Sequence, residues 1–354
     1  MQKNTKSNNV ITFFVAANGY TGFRSYFSSV FSPEKYERIF ILKGGPGTGK
    51  SSLMRNVADA LDGEEFYKER ILCSSDPHSL DGLIIKKNEK IFAILDGTAP
   101  HTRDTELPGA VDEIVNLGNN WSFEALKAKR EQICELNAKK KLNYSLAYTY
   151  LNKAGKVKEL TTSLEKISIN DKNLKSAAKS LAESLSREEP KGNIETRLIS
   201  SFGRRGTFTL DTLEKIAEKT IKIKKTAFTS SIYFSALSDE IKKLGAQCIE
   251  FPNAFDGNIT EALFFPESKT AITLTESPSA DICPDEYVCK NPGIKVPESA
   301  DILYNELLSE SKRFFTFASD AHFELEKIYI KSMNFEANTQ FCTEIVEKIK
   351  KATN

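Results

Sequence analysis

Apolar residues fall in short blocks along this chain, and the spacing within each block predicts an element. Val10–Ala17 is a continuous apolar run and reads as a strand. The aromatic-rich stretch Tyr20–Phe31 follows and ends before Pro33. Ile39–Lys43 is a second strand, broken by a glycine-rich turn. Leu53, Val57 and Leu61 then recur at i, i+4 and i+8 as one face of a helix, with Gly63 as its stop. Arg70–Ser74 and Lys90–Leu95 are two more short strands, the latter closing on Asp96. Strands separated by helical patterns predict an α/β fold, a mostly parallel sheet flanked by helices with right-handed crossovers. Ligands of such sheets sit at the carboxyl ends of the strands. That rule gathers the glycine turn, the segment after Ser74 and Asp96-Gly97 on one rim.

From Trp121 to Ser186 the pattern is long, helical and rich in Lys and Glu, with no proline and Gly155 as its one glycine. Leu126, Ile133 and Leu136, then Tyr144, Ala147, Tyr148 and Leu151, predict an arm or helical hairpin with a single apolar stripe. Charges of alternating sign on its other faces read as a solvated surface rather than a nucleic-acid site. Glu188–Asn193 (EEPKGN) punctuates the chain. The expected organisation is therefore an α/β unit over 1–120, a helical arm and linker over 121–190, and a second unit over 191–354 ending in helices.

That second unit reads as an internal repeat of the first. Shifted by 178 residues, Ile91–Pro100 (IFAILDGTAP) meets Lys269–Pro278 (KTAITLTESP). Shifted by 180, Leu83-Ile84-Ile85 meets Leu263-Phe264-Phe265, and shifted by 179, Ser51-Ser52 meets Ser230-Ser231. The copy is degenerate. Lys225-Thr226-Ala227-Phe228-Thr229 stands where the glycine turn should be, and Leu274 stands at the place of Asp96.

Composition narrows the class. A length of 354 residues suits about two domains. Forty per cent apolar and 27% charged residues describe a soluble globular protein. A net charge of +1 supplies no global field toward nucleic acid or an anionic membrane. No apolar run approaches the roughly 18 residues of a membrane span. Met1–Asn9 is polar, and the run after it lacks a charged leader and a cleavage site. The cysteines (Cys73, Cys134, Cys248, Cys283, Cys289, Cys342) form no C-x-x-C pair and read as reduced cytosolic thiols. A cytoplasmic location is the expectation.

The chemistry concentrates at Gly44–Ser52 (GGPGTGKSS), which matches G-x-x-x-x-G-K-S/T. Gly44, Gly47 and Gly49 can take positive φ and let backbone approach an anion. With Gly45 and Thr48 they form a nest of N–H groups for phosphate, Pro46 lying in the same nucleotide-binding loop, and the helix that starts near Lys50 reinforces it. Lys50 can span the β- and γ-phosphates, and Ser51, followed by Ser52, can offer a hydroxyl to Mg²⁺. Asp96, a carboxylate closing an apolar strand, is the second candidate metal contact. Asp76 and Asp81 in Cys73–Gly82 are candidates to orient a water or acceptor, and equally are turn residues. His101 is a candidate sensor of the γ-phosphate, with Arg103 just beyond. No glutamate follows Asp96, so the usual water-polarising carboxylate is not evident there.

Gly19–Phe27 (imperfectly), Ile41–Ser51, Cys73–Gly82, Ala93–His101 and Pro108–Gly118 together resemble a family of bacterial tandem P-loop ATPase-like proteins. The resemblance covers most of the chain, implies a P-loop NTPase fold and nucleotide binding, and lends no substrate or cellular role. Asp76, Pro77, Asp81 and His101 match its motif positions. The family carries a second glycine-lysine loop in its second half, and this sequence departs from it there. The expected function is Mg²⁺-dependent ATP binding and hydrolysis in the first unit, with a second copy that binds no nucleotide. Two other readings stay open: a phosphotransferase acting on a small acceptor, and a nucleotide-dependent switch with negligible turnover. A protein partner, if any, would engage the arm or the degenerate unit.

Overall fold

The computed structural model of this chain describes residues 10–62, 65–167, 169–226, 228–290 and 296–353, without the side chains of 165–167, 169, 289 and 290. Gly63, Ala227 and the polar leader Met1–Asn9 lie outside the described residues. The longer helices are α1 (Lys50–Ala60), α2 (Arg130–Ile167), α3 (Lys172–Ser186), α4 (Thr229–Leu244), α5 (Glu298–Ile330) and α6 (Phe335–Thr353). By contact the chain divides into two compact units, each discontinuous in sequence. One comprises Met1–Val15, Phe27–Ser145 and Phe314–Asn354; the other comprises Ala16–Tyr26 and Leu146–Arg313.

The first unit holds six strands: β1 (Val10–Phe14), β2 (Arg38–Lys43), β3 (Tyr67–Leu72), β4 (Leu80–Lys87), β5 (Lys90–Asp96) and β6 (Asp112–Asn116). They lie in the order β1-β3-β4-β5-β2-β6. All run one way except β4, which is antiparallel to β3 and β5. The expected helical crossover after Arg70–Ser74 is therefore corrected. Leu80–Lys87 is a strand, because its apolar centre Leu83–Ile85 is too short for a helix and fits between two buried neighbours. Asn88 takes the left-handed conformation (φ 54°) that an asparagine tolerates, which closes the turn into β5. β6 went unread because Asp112–Asn116 has only Ile114 and Val115 as apolar residues. It is an edge strand with Ile114 half in solvent. β1 stops at Phe14, short of the expected Ala17, where the chain leaves for the hairpin Ala16–Gly19/Gly22–Ser25.

The core of this unit forms where α1 lays Leu53, Met54, Val57 and Ala58 on the sheet residues Phe40, Leu42, Leu83, Ile85, Phe92 and Ile94. Ile345 and Ile349 of α6, one turn apart, complete the same cluster. So α6, which the sequence assigned to 191–354, packs in the first unit, because its apolar stripe is covered there.

The second unit has its own sheet of β7 (Ile194–Thr196), β8 (Lys219–Lys224), β9 (Cys248–Pro252), β10 (Thr260–Phe265) and β11 (Thr270–Thr275), ordered β7-β9-β10-β11-β8. Again one strand, β10, runs against the rest. Taken in chain order, the second sheet reads first, third, fourth, fifth, second, and the first sheet reads the same with its sixth strand added at the end. Equivalent details keep the spacings found along the sequence. The β3–β4 register shifts at Ile71/Leu72 and the β9–β10 register at Phe251/Pro252, 180 residues on. Gly82 faces Leu95 and Ala262 faces Thr273, which gives 180 for one strand and 178 for the next.

The predicted arm is corrected in its second half. Leu174, Ala178, Ala182 and Leu185 on α3 form an apolar stripe outside the residues the sequence singled out, and it is packed into the second unit's core with Phe234, Leu237 and Ile241 of α4. An amphipathic helix needs an apolar partner, and here the sheet-bound α4 is that partner. In α2 the stripe is half-buried at Ile133 and Leu136 and fully buried at Ala147, Leu151 and Ala154. Among the described residues no helix is long and apolar enough to cross a membrane.

Because Ile349 is fully buried in the cluster it shares with α1 and the sheet, Ile349→Ala should destabilise the first unit by about 2–5 kcal/mol, measured by urea unfolding. A change below about 0.5 kcal/mol would mean α6 is not part of that core.

Candidate functional site

β2 is buried on both faces at Ile39–Leu42, between β5 and β6, and it ends at the glycine turn. Lys43 closes the strand by donating its Nζ to the carbonyls of Gly97 (3.0 Å) and Arg103 (2.5 Å), which ties this end to the segment after β5. The chain then turns through Gly47 (φ 69°) and Gly49 (φ 88°), left-handed values that side chains resist. Gly49 is the N-cap of α1, and no side chain caps the helix, so its first N–H groups face the turn. Thr48 is buried and donates its hydroxyl to Gly45 O (2.9 Å), bracing the loop from within. Pro46 is half-buried and Ser52 is exposed.

The expected residues converge at this end of the sheet. Lys50 folds back over the turn, donating to the carbonyls of Gly44 (3.1 Å) and Gly45 (2.9 Å), with its Nζ 3.6 Å from Asp96 Oδ2. Asp96 is held on its other oxygen by the Thr98 N–H (2.8 Å) and hydroxyl (2.6 Å). Burial pushes the Asp96 carboxyl up; Lys50 pulls against this and the Asp81 charge adds to it. Ser51 Oγ accepts the Leu80 N–H (2.9 Å), which pins the start of α1 to the start of β4. Asp81 and His101 are both buried, with Oδ2 and Nε2 2.9 Å apart. That approach is too poorly aligned for a hydrogen bond and is an electrostatic contact. His101 also stacks on Phe27, with ring centroids 4.4 Å apart.

Asp76 has a local task. Its carboxylate accepts from the His78 N–H (3.3 Å) and the Ser79 hydroxyl (3.2 Å), shaping the loop between β3 and β4. Arg103 is turned inward toward Phe31 O (2.7 Å) and Asp112, away from any rim role. Among the described residues no group of three His, Cys, Asp or Glu is placed to hold a metal ion. Ser51 and Asp96 still fit Mg²⁺, which takes few protein oxygens and completes its shell with phosphate and water.

Sequence reading missed a second set of residues around the turn. Tyr329 of α5 covers Gly45, where a Cβ would come within 2.9 Å of its ring. A Cβ at Gly47 would lie 2.8 Å from the Glu326 carbonyl oxygen. Asn338 of α6 donates to Thr48 O (2.9 Å) and accepts from Asn120 (3.0 Å). His322, one turn before Glu326 on α5, stands 3.6 Å from its carboxylate. No local pattern marks these residues, since they lie more than 270 positions from the turn they cover.

The second unit has a cleft of about 1870 Å³, lined by Ser200, Lys225, Asn253, Glu261, Glu276 and Tyr304 among others. Its polar groups already serve each other: Glu261 accepts from Ser200 (2.6 Å) and Asn253 (2.9 Å), and Lys225 pairs with Glu276 (2.9 Å). We therefore take the glycine turn as the candidate site. No family model, no curated protein and no solved structure matches this chain.

Burial pushes the His322 imidazole down to about 4; Lys140 and Lys50 add to this and Asp76 opposes it. A folded value below the ordinary 6.5 favours the neutral ring. Its stabilising contribution should therefore be complete above about pH 6.5 and drain away as pH falls toward about 4. A ring titration followed by NMR should have its midpoint near 4, and a midpoint between about 6 and 7 would put the ring in open solvent.

Proposed function

We propose that the first unit binds ATP with Mg²⁺ at Gly44–Ser51 and hydrolyses it. One observation carries this reading. A left-handed glycine turn leaves the end of a buried central strand, enters an uncapped helix, and sets Lys50 against a carboxylate at the end of the neighbouring strand. Each part suits a polyphosphate. The turned amides and the helix N-terminus bind anionic oxygens. Lys50 exchanges the carbonyls of Gly44 and Gly45 for phosphate oxygens without losing its place. Ser51 and Asp96 would hold the metal, which would supply charge to offset that developing on the transferred phosphoryl group. The resemblance of the first-half motifs to tandem P-loop ATPase-like proteins supports the same reading. Asp81 with His101 is a positioning pair behind Asp96, since the Asp81 charge is felt there.

The second unit, on this reading, is a copy that has lost the site. Shared strand order, shared strand directions and preserved spacings support duplication. Its turn has no glycine, and Thr226 caps α4 by accepting the Ser230 N–H (2.8 Å), so a side chain already fills the place of an anion.

Titration calorimetry should give one MgATP per chain, and Lys50→Ala should weaken it about tenfold or more while leaving the fold intact. Two sites, or one that survives Lys50→Ala, would overturn the assignment. In phosphate-release assays Asp96→Asn should lower turnover far more than affinity. Unchanged release would reduce Asp96 to a strand-end residue, and release that requires an added acceptor would favour a phosphotransferase.

A further inference from the structure

Two exposed apolar side chains border the glycine turn. A Cβ on Gly47 would lie 3.0 Å from Ile330 Cγ1, and one on Gly49 would lie 3.3 Å from Cε1 of Phe335. Ile330 keeps 47% of its surface in solvent and Phe335 43%. Single exposed hydrophobics are ordinary, but these two stand against one glycine turn, at the junction of α5 and α6. The junction is fixed to the rim of the sheet. The Ser122 N–H donates to Ser332 O (2.7 Å) and the Asn334 N–H to Asn120 O (2.8 Å), which ties it to the segment after β6. Phe335 opens α6 directly beyond these bonds. Three residues on, Asn338 donates to Thr48 O (2.9 Å) and accepts from Asn120 (3.0 Å), so its amide is engaged at both ends. The surface that Ile330 and Phe335 add to the rim is aliphatic and aromatic.

We propose that the Phe335 ring, flanked by Ile330, is the base subsite of the candidate nucleotide site, where the flat face of the nucleobase stacks. The proposal rests on the nucleotide reading of the site, and it names the residue that separates a nucleotide from a bare polyphosphate. Strand order supports the placement. β2 lies between β5 and β6. Asp96 closes β5 on one side of the glycine turn, whereas the α5–α6 junction is tied to the segment after β6 on the other. A nucleotide laid across the turn would then keep its metal and terminal phosphate toward Asp96 and its base toward Phe335. A nucleoside triphosphate has a charged end and a flat end with a π-face, and amides plus Lys50 beside an exposed ring answer both. The ring's backbone is already fixed, so stacking would cost little further ordering.

Titration calorimetry on the full chain with two probes, MgATP and magnesium tripolyphosphate, tests this. The variants are Phe335→Ala, Phe335→Tyr and, as a control, Leu142→Ala at an exposed position of α2. The parent should bind MgATP about tenfold or more tightly than magnesium tripolyphosphate, which has no base to stack. Phe335→Ala should weaken MgATP about tenfold, the loss of one base–aromatic stack, and leave tripolyphosphate binding unchanged. Phe335→Tyr keeps an aromatic face and should match the parent on both probes, as should Leu142→Ala. Equal weakening of both probes in Phe335→Ala would make the ring a support of the turn and overturn the base subsite. Unchanged MgATP binding in that variant, or a Phe335→Tyr chain that behaves like it, would overturn stacking. MgATP bound no more tightly than tripolyphosphate by the parent would overturn the subsite and leave the phosphate site standing. Neither probe binding to the parent would overturn the proposal through the nucleotide reading on which it rests.

Discussion

The buried charge of Lys50 is the constraint on which the rim of the first unit depends. Its side chain keeps only 11% of its surface exposed, and that of its partner Asp96 only 16%. An ammonium at that depth is tolerable only with several partners, and two carbonyls and a carboxylate are what the turn and β5 supply. Such a pair adds little net stability, because desolvation cancels most of the attraction. Its effect is geometric. It couples the first residue of α1 to the last of β5, while Lys43 couples the last of β2 to the segment beyond. Removing either partner would leave the other with neutral hydrogen-bond partners only, two carbonyls for Lys50 and Thr98 for Asp96.

The two units have sheets of similar strand order and differ at that constraint. In the first, the end of β2 runs into glycines and the helix start is left open. In the second, the chain after β8 has no glycine, Thr226 closes the helix, and Thr229 is tied to Asp285. The strand-end lysine is common to both: Lys224, like Lys43, donates to carbonyls just past the neighbouring strand. Carboxylates in the second unit are similarly committed. Burial pushes Glu250 up, but hydrogen bonds from Ser238 and Thr260 and the nearby Lys242 outweigh this and hold it low. Every such group satisfied internally is one fewer available to a ligand.

How far the sequence carried the reading follows from what each signal encodes. Ile39–Leu42 was legible as a strand because an apolar run of that length before a glycine cluster has few other uses. The helical face Leu53, Val57, Leu61 and the closing Asp96 were legible for similar local reasons. Direction was not. Leu83–Ile85 marks a buried strand but carries no sign of running against its neighbours, which depends on the short turns at either end. Destination was not legible either. A helical pattern over α3, or helices at the C-terminus, did not say that α4 covers the one and α1 packs with the other. Glu326 was beyond reach for the same reason, since its environment is made by residues distant in sequence.

Gly45, Gly47 and Gly49 are under two demands at once, and this decides which substitutions are informative. The left-handed φ of Gly47 and Gly49 sets the course of the turn, on which the proposed anion binding depends, while the missing Cβ at all three admits Tyr329, the Glu326 backbone and Phe335. A glycine-to-alanine change at Gly47 would strain the turn and push α5 away together, so lost binding and a lifted roof would look alike. Charges separate the two. On the proposed reading Lys50 supplies attraction that a polyphosphate would use, and its ammonium can be removed without placing a Cβ against α5. Lys50→Ala therefore isolates the loss of attraction from the loss of packing, which a substitution at Gly47 cannot do.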